Sequence, residues 1–204
     1  MALNTYASLK TSIAGWMNVS ATDLSSQIDD VVTVAETRIY RETYCRDNEL
    51  AWSTAIASGV VSVPSDYVKM KNLRTSANPA IELERRPLTW IYGQYPRNAS
   101  SGNPIYFARD GSNFVFGPYP SGGFTVTGCY YKKFAALSSA TNALFLNNPD
   151  LYLFACLAES EILIGRDSRI PLWESKYKTI RDAANLLSQS EEQSGSTLRM
   201  RLGG

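Results

Sequence analysis

At 204 residues, 44% of them hydrophobic and 19% charged, the chain has the composition of an ordinary soluble protein. It is long enough to bury on the order of 70% of its unfolded surface, in one domain or two small ones. A formal net charge of +1 gives no global attraction to a polyanion, and the absence of histidine removes Ser-His-Asp and Cys-His catalysis together with the commonest zinc ligand.

The opening stretch carries Tyr6, Leu9, Ile13 and Trp16 at helical spacing, with Asn4 or Thr5 available as a cap. Asp23 is placed to cap a longer helix whose stripe is Leu24, Ile28, Val31, Ala35 and Ile39 and which should end near Arg46. From about Glu49 to Leu146 the character changes: Gly, Pro, Ser and Asn punctuate short runs rich in Val, Tyr, Phe and Thr. Strands are expected at 50–57, 60–63, 67–74, 81–83, 105–109, 114–116 and 124–134, paired antiparallel. Gly59, Asp110-Gly111 and the run from Pro120 to Gly123 supply the turns, and a short helix is expected over 89–95 after Pro87.

Pro149 then opens a helix with Leu151, Phe154, Ala158, Ile162 and Leu163 on one face, closed by Gly165. Ser168 and Pro171 start a second, with Trp173, Tyr177, Ile180, Ala184 and Leu187 as its stripe and Lys176, Lys178, Arg181 and Asp182 largely off it. Neither terminal pair of helices can bury its stripe alone. The expected fold class is therefore α+β: a helical bundle from 1–48 and 149–193, an inserted antiparallel β domain at 49–148, and an extended C-terminal arm at 194–204. In that arm Leu198, Met200 and Leu202 alternate with Arg199 and Arg201, a period suited to lying along a partner's edge or groove; the competing reading is a disordered terminus.

Cys45, Cys129 and Cys156 form no Cys-x-x-Cys pair and read as buried thiols in a reducing cytoplasm. No signal peptide or membrane span is expected, and the sequons at Asn18 and Asn98 read as chance matches. Acid and base chemistry would fall to paired carboxylates. Glu82 and Glu84 share a strand face, but Arg85 and Arg86 follow directly and a solvated, salt-bridging edge accounts for all four. Glu159 and Glu161 would diverge by about 200° on a helix. Phosphate loops, nucleophile elbows and dinucleotide fingerprints are missing, so no catalytic, cofactor or metal site is expected. Trp90, Tyr92, Tyr95, Tyr106, Tyr119, Tyr130 and Tyr131 suit either a stacking platform or, more simply, sheet core and interface. Lys132-Lys133 and Arg85-Arg86 are too short for a nucleic-acid patch, although repetition in a ring would multiply them into a belt.

The order of motifs carries a resemblance. Leu3-Asn4-Thr5-Tyr6 through Trp16-Met17 is followed by Ala35-Glu36-Thr37-Arg38-Ile39-Tyr40-Arg41, Val63-Pro64-Ser65-Asp66-Tyr67 and Phe116-Gly117-Pro118. Asn148-Pro149-Asp150-Leu151-Tyr152-Leu153 and Gly195-Ser196-Thr197-Leu198-Arg199-Met200-Arg201 complete it. Together they resemble the head-to-tail adaptor proteins of tailed, especially short-tailed, phages. The resemblance implies a non-enzymatic virion protein at the head-tail junction, made in the host cytoplasm. It further implies a ring, typically of twelve neighbouring subunits, below the portal protein, through which genomic DNA passes without sequence-specific binding. Tail nozzle or fibre proteins would attach to it, with no membrane involved. The C-terminal segment would reach the portal, which maps portal binding onto Thr197, Leu198, Arg199, Met200, Arg201 and Leu202. Two alternatives stand beside it: a carbohydrate-binding or hydrolytic tail component using Glu82, Glu84 and the β-region tyrosines, and a DNA-binding module.

Overall fold

The computed structural model describes residues 3–19, 25–56, 58–76, 79–96, 101–120, 122–160 and 167–193, and the chain is mixed α+β. It divides into two compact units, one made of residues 1–48 and 134–204 and the other of residues 49–133.

In the first unit, helix α1 spans Tyr6–Met17 and is fixed at its start by a capping box. Thr5 Oγ1 accepts the Ser8 N–H at 3.1 Å, and Ser8 Oγ accepts the Thr5 N–H at 3.1 Å. The helix stops at Asn18, whose left-handed φ of 58° turns the chain. Helix α2, Ser25–Glu42, ends before the expected Arg46, and a single 3-10 turn follows at Arg46–Asn48. The expected cap Asp23 and the stripe residue Leu24 lie outside the described residues.

Helices α4, Ala143–Asn147, and α5, Pro149–Glu159, come next, with Asn142 Oδ1 accepting the Phe145 N–H at 2.9 Å. Neither α4 nor the preceding loop belongs to the β unit, although the expected insertion ran to residue 148. Leu137, Leu144 and Phe145 are buried with the helices, and the Leu137 N–H donates at 2.8 Å to Glu36, a carboxylate only 6% exposed. Burial of this polar contact ties the returning chain to α2.

Helix α5 corrects the expectation of a single buried face. Leu151, Tyr152, Leu153, Ala155, Cys156 and Leu157 are all buried, while Phe154 and Ala158 are only half-buried. The helix contacts α1, α2, α4 and α6, Ile170–Gln193, so most of its circumference is buried and only a narrow stripe through Asp150, Phe154 and Ala158 stays partly open. Ile162, Leu163 and Gly165 lie outside the described residues. On α6, Trp173 and Tyr177 are buried and Ile180 and Ala184 half-buried, but Leu187 is 63% exposed. The stripe therefore covers only the first part of the helix.

The second unit contains two sheets, in the strand orders β1-β7-β3 and β2-β6-β5-β4. Their strands are β1 Glu49–Ile56, β2 Val60–Ser62, β3 Tyr67–Thr75, β4 Glu84–Arg85, β5 Tyr106–Asp110, β6 Asn113–Gly117 and β7 Phe124–Lys132. Pairing is antiparallel except between β4 and β5, which run parallel. Period-two alternation places Phe107, Phe114 and Phe116 in a core with Ile56, Leu73, Val126 and Tyr130 from the other sheet. Ala108 and Val115 point the opposite way, under helix α3, Leu88–Gln94. The β5–β6 hairpin turns through Gly111 and Ser112, with Gly111 at φ 57°. At the centre of the three-stranded sheet, a Cβ on Gly128 would lie 2.3 Å from the Asn72 carbonyl oxygen. Only glycine lets β7 approach the bulged part of β3 so closely.

Candidate interaction surfaces

The polar residues of the first unit converge on Arg38. Its Nη2 donates to Glu174 at 2.6 Å, its Nη1 to Glu159 at 2.8 Å and its Nε to Glu42 at 3.3 Å, joining α2, α5 and α6. Its guanidinium also lies 4.5 Å from the Tyr177 ring centroid. Arg181 adds a second cation, donating to Glu42 at 2.6 Å. Arg181 thus sits on the packed side of α6, where the helical stripe had left it largely off. The hydrogen bond from Arg38, outweighing burial, holds the Glu174 carboxyl at about 2, and the same network raises Arg38 above its ordinary range. Burial pushes Glu42 up, but Arg181 and Arg38 together bring it below its ordinary value. Glu159, a weak candidate acid, is consumed in this network; Glu161 lies outside the described residues.

At the far end of α6 the contacts change from apolar to polar. Asn185 Oδ1 accepts the Tyr44 N–H at 2.8 Å, Asn185 Nδ2 donates to the Glu42 carbonyl at 3.2 Å, and Ser188 Oγ accepts the Arg46 N–H at 2.7 Å. These side chains satisfy backbone groups that the end of α2 leaves open. Leu186 and Leu187, 64% and 63% exposed, flank the clasp. The sequence period indicated Leu187 but not Asn185 or Ser188; their signal is only that two polar residues interrupt an apolar face.

In the second unit two adjoining grooves share Asn72, Leu73 and Glu82. One, of about 790 Å³, crosses the three-stranded sheet over Ala51, Ser53, Gly128 and Cys129. The other, of about 410 Å³, lies between β3 and β4 over Met70, Leu83 and Phe107. Glu84 meets Arg86 at 2.8 Å along this edge.

The tyrosines do not make one platform. Tyr130 is buried and donates to Asp66 at 2.7 Å, and Tyr119 is buried. Trp90, Tyr95 and Tyr106 pack edge-to-face or stacked beside Arg86. Tyr92 donates to Asp110 at 3.0 Å. Burial raises the thiols of Cys45, to about 11, and of Cys156 and Cys129. Cys129 is half-buried and not, as expected, fully so. Among the described residues no cluster could hold a metal ion, and no helix is long and apolar enough to cross a membrane. The six residues assigned to portal binding, Thr197 to Leu202, lie outside the described residues.

In comparisons with known proteins, a family model described as SU10 adaptor protein matches residues 4–201. No curated protein matches the chain.

Proposed function

The chain belongs to the SU10 adaptor protein family, a family of phage head-to-tail adaptors, and on that premise we propose that copies of it assemble as a ring on the portal. The ring extends the DNA channel and presents the attachment surface for tail nozzle or fibre proteins, with twelve subunits as the expected number. The observation that carries this reading is the family match over 4–201, which includes the C-terminal arm to Arg201. The role is binding and not catalysis.

Charge supports the same reading. Residues 49–133 contain nine Lys and Arg against five Asp and Glu, and the remainder contains eleven against fourteen, giving net charges of +4 and −3. A negative helical unit repels a passing polyanion, which suits DNA that must move through without sticking. The arm, with Arg199 and Arg201 alternating with leucines and methionine, is the portal-binding segment. Each arm loses entropy when it docks, and repetition around the ring offsets this through high effective concentration.

Electron microscopy of the protein mixed with its portal tests the proposal: an added ring is expected, and an undecorated portal refutes it. Deleting Thr197 to Gly204 is expected to leave the melting transition unchanged and to weaken attachment. Equal attachment of the truncated chain removes the arm from the account.

A further inference from the structure

We infer that the groove between β3 and β4 in the β unit accepts an extended, acidic segment of a partner protein as an added strand. The inference rests on the β unit alone and stands whether or not the ring forms on a portal.

The reason lies in a strand that changes sheets. Residues 81–83 pair with β3: the Thr75 N–H donates to the Ile81 carbonyl at 2.9 Å and the Leu83 N–H to the Leu73 carbonyl at 2.8 Å, with Arg74 opposite Glu82. Residues 84–86 then turn to the other sheet, where the Glu84 N–H donates to Ile105 at 2.9 Å and the Arg86 N–H to Phe107 at 3.0 Å. Pairing on this side of β3 therefore stops at Leu73, although β3 itself begins at Tyr67. Where the two strands part, the 410 Å³ groove opens down to the buried side chains of Met70, Leu73, Leu83 and Phe107.

Its size fits backbone. One residue of strand occupies roughly 160 Å³, from a rise of about 3.3 Å, a strand spacing of about 4.8 Å and a sheet spacing of about 10 Å. The groove thus holds about two or three residues; the adjoining 790 Å³ trough lies on the face of the three-stranded sheet, over Ala51, Ser53 and Gly128, where side chains of the added segment can rest. The edge is restricted. Register shifts interrupt β3 at Tyr67/Lys69 and Met70/Asn72, and the Met70 N–H is taken by the Tyr67 hydroxyl at 2.8 Å. Such bulges blunt an edge against indiscriminate pairing, leaving the short stretch around Lys71 to Leu73.

Charge selects the occupant. Lys71 is neutralised by Glu49 at 2.6 Å and Glu84 by Arg86 at 2.8 Å. Of the remaining charges lining the groove and the trough, Arg74 and Arg85 have no ion-pair partner among the described residues, and they face a single carboxylate, Glu82. With the unit's net charge of +4, this favours carboxylates on the incoming strand and disfavours a basic one.

The test is a nuclear magnetic resonance titration of the full chain with the peptide acetyl-Val-Glu-Val-Glu-Val-Glu-amide. Saturable shifts are expected at the amides of Lys71, Asn72, Glu84 and Arg85. Arg85→Glu should weaken binding at least tenfold, while Arg46→Glu, on the helical unit, leaves it unchanged. N-methylation of alternate peptide nitrogens should abolish the shifts, because it removes the strand's donors. No saturable shift at millimolar peptide, equal binding of the lysine counterpart, or equal binding of the N-methylated peptide overturns the inference.

Discussion

Arg38 on α2 donates to Glu174 on α6 at 2.6 Å, and the same guanidinium holds Glu159 of α5 at 2.8 Å. One side chain therefore fastens α2 to two helices more than a hundred residues further along the chain. The pairs are partly shielded from solvent, with Arg38 20% exposed and its carboxylate partners between 24% and 32%. They should be worth more than surface pairs and less than fully buried ones. Arg38→Ala leaves Glu159 without its cation, while Glu42 keeps Arg181 and Glu174 keeps Lys178, and is expected to destabilise the helical unit by about 2 kcal/mol. Arg38→Lys should recover only part of this, since an ammonium cannot reproduce the fork. Urea denaturation followed by far-ultraviolet circular dichroism, which is dominated by the helices, measures both, and an unchanged midpoint for Arg38→Ala would refute the network's role.

The same cluster gives the unit an acid limit. Glu174 is depressed from an ordinary 4.5 to about 2 by its hydrogen bond with Arg38. A carboxyl depressed in the folded state stabilises it fully above its unfolded value and loses that contribution as pH falls through the folded value. The contribution from Glu174 should therefore be complete above about pH 5 and decline between 4.5 and about 2. Glu42, also depressed, acts in the same direction. Glu174→Gln should be less stable than the parent at pH 7, with the two stability curves converging toward pH 2. Parallel curves across that range would place the pH dependence elsewhere.

Much of this architecture was legible in the sequence, and the gaps have physical causes. Periodicity located α1, α2, α5 and α6 because a half-buried helix must segregate its apolar residues. It misread α5, since a helix packed around most of its circumference has apolar residues on nearly every face, and its partly open stripe carries Phe154 and Ala158. Alternation located the strands of the β unit, yet it did not show that 81–86 serves two sheets, because switching partners leaves no mark on the pattern. Arg38 lay in a motif that carried the resemblance, but besides Glu42, one turn away, the two distant carboxylates Glu159 and Glu174 had to fold around it before its role was visible. Asn185 and Ser188 were silent for the same reason.

Those two residues hold the last turns of α6 by hydrogen bonds and not by apolar packing. Asn185→Ala removes the partners of the Tyr44 N–H and the Glu42 carbonyl, for an expected loss of about 1–2 kcal/mol. Ser188→Ala should cost about 1 kcal/mol through the Arg46 N–H. Hydrogen exchange gives the sharper readout. The amides of Tyr44 and Arg46 should lose protection in the respective variants, while those in β7 keep theirs. Unchanged exchange at both amides would mean that the clasp does not persist in solution.

Two glycines predict opposite outcomes from one substitution. Gly128→Ala places a methyl 2.3 Å from the Asn72 carbonyl oxygen and 3.0 Å from Leu73 Cδ1. Backbone cannot step aside as a flexible side chain can, so β3 and β7 must separate where their bulged ladder is already irregular. A cost of about 3 kcal/mol is expected, localised to the β unit. Gly15→Ala meets nothing within 4 Å and lies inside α1, where glycine carries an entropic penalty relative to alanine. It should stabilise the helical unit by about 0.5–1 kcal/mol. Thermal melts of both variants beside the parent decide the matter: a tolerated Gly128→Ala would show that β7 does not pass β3 as closely as described.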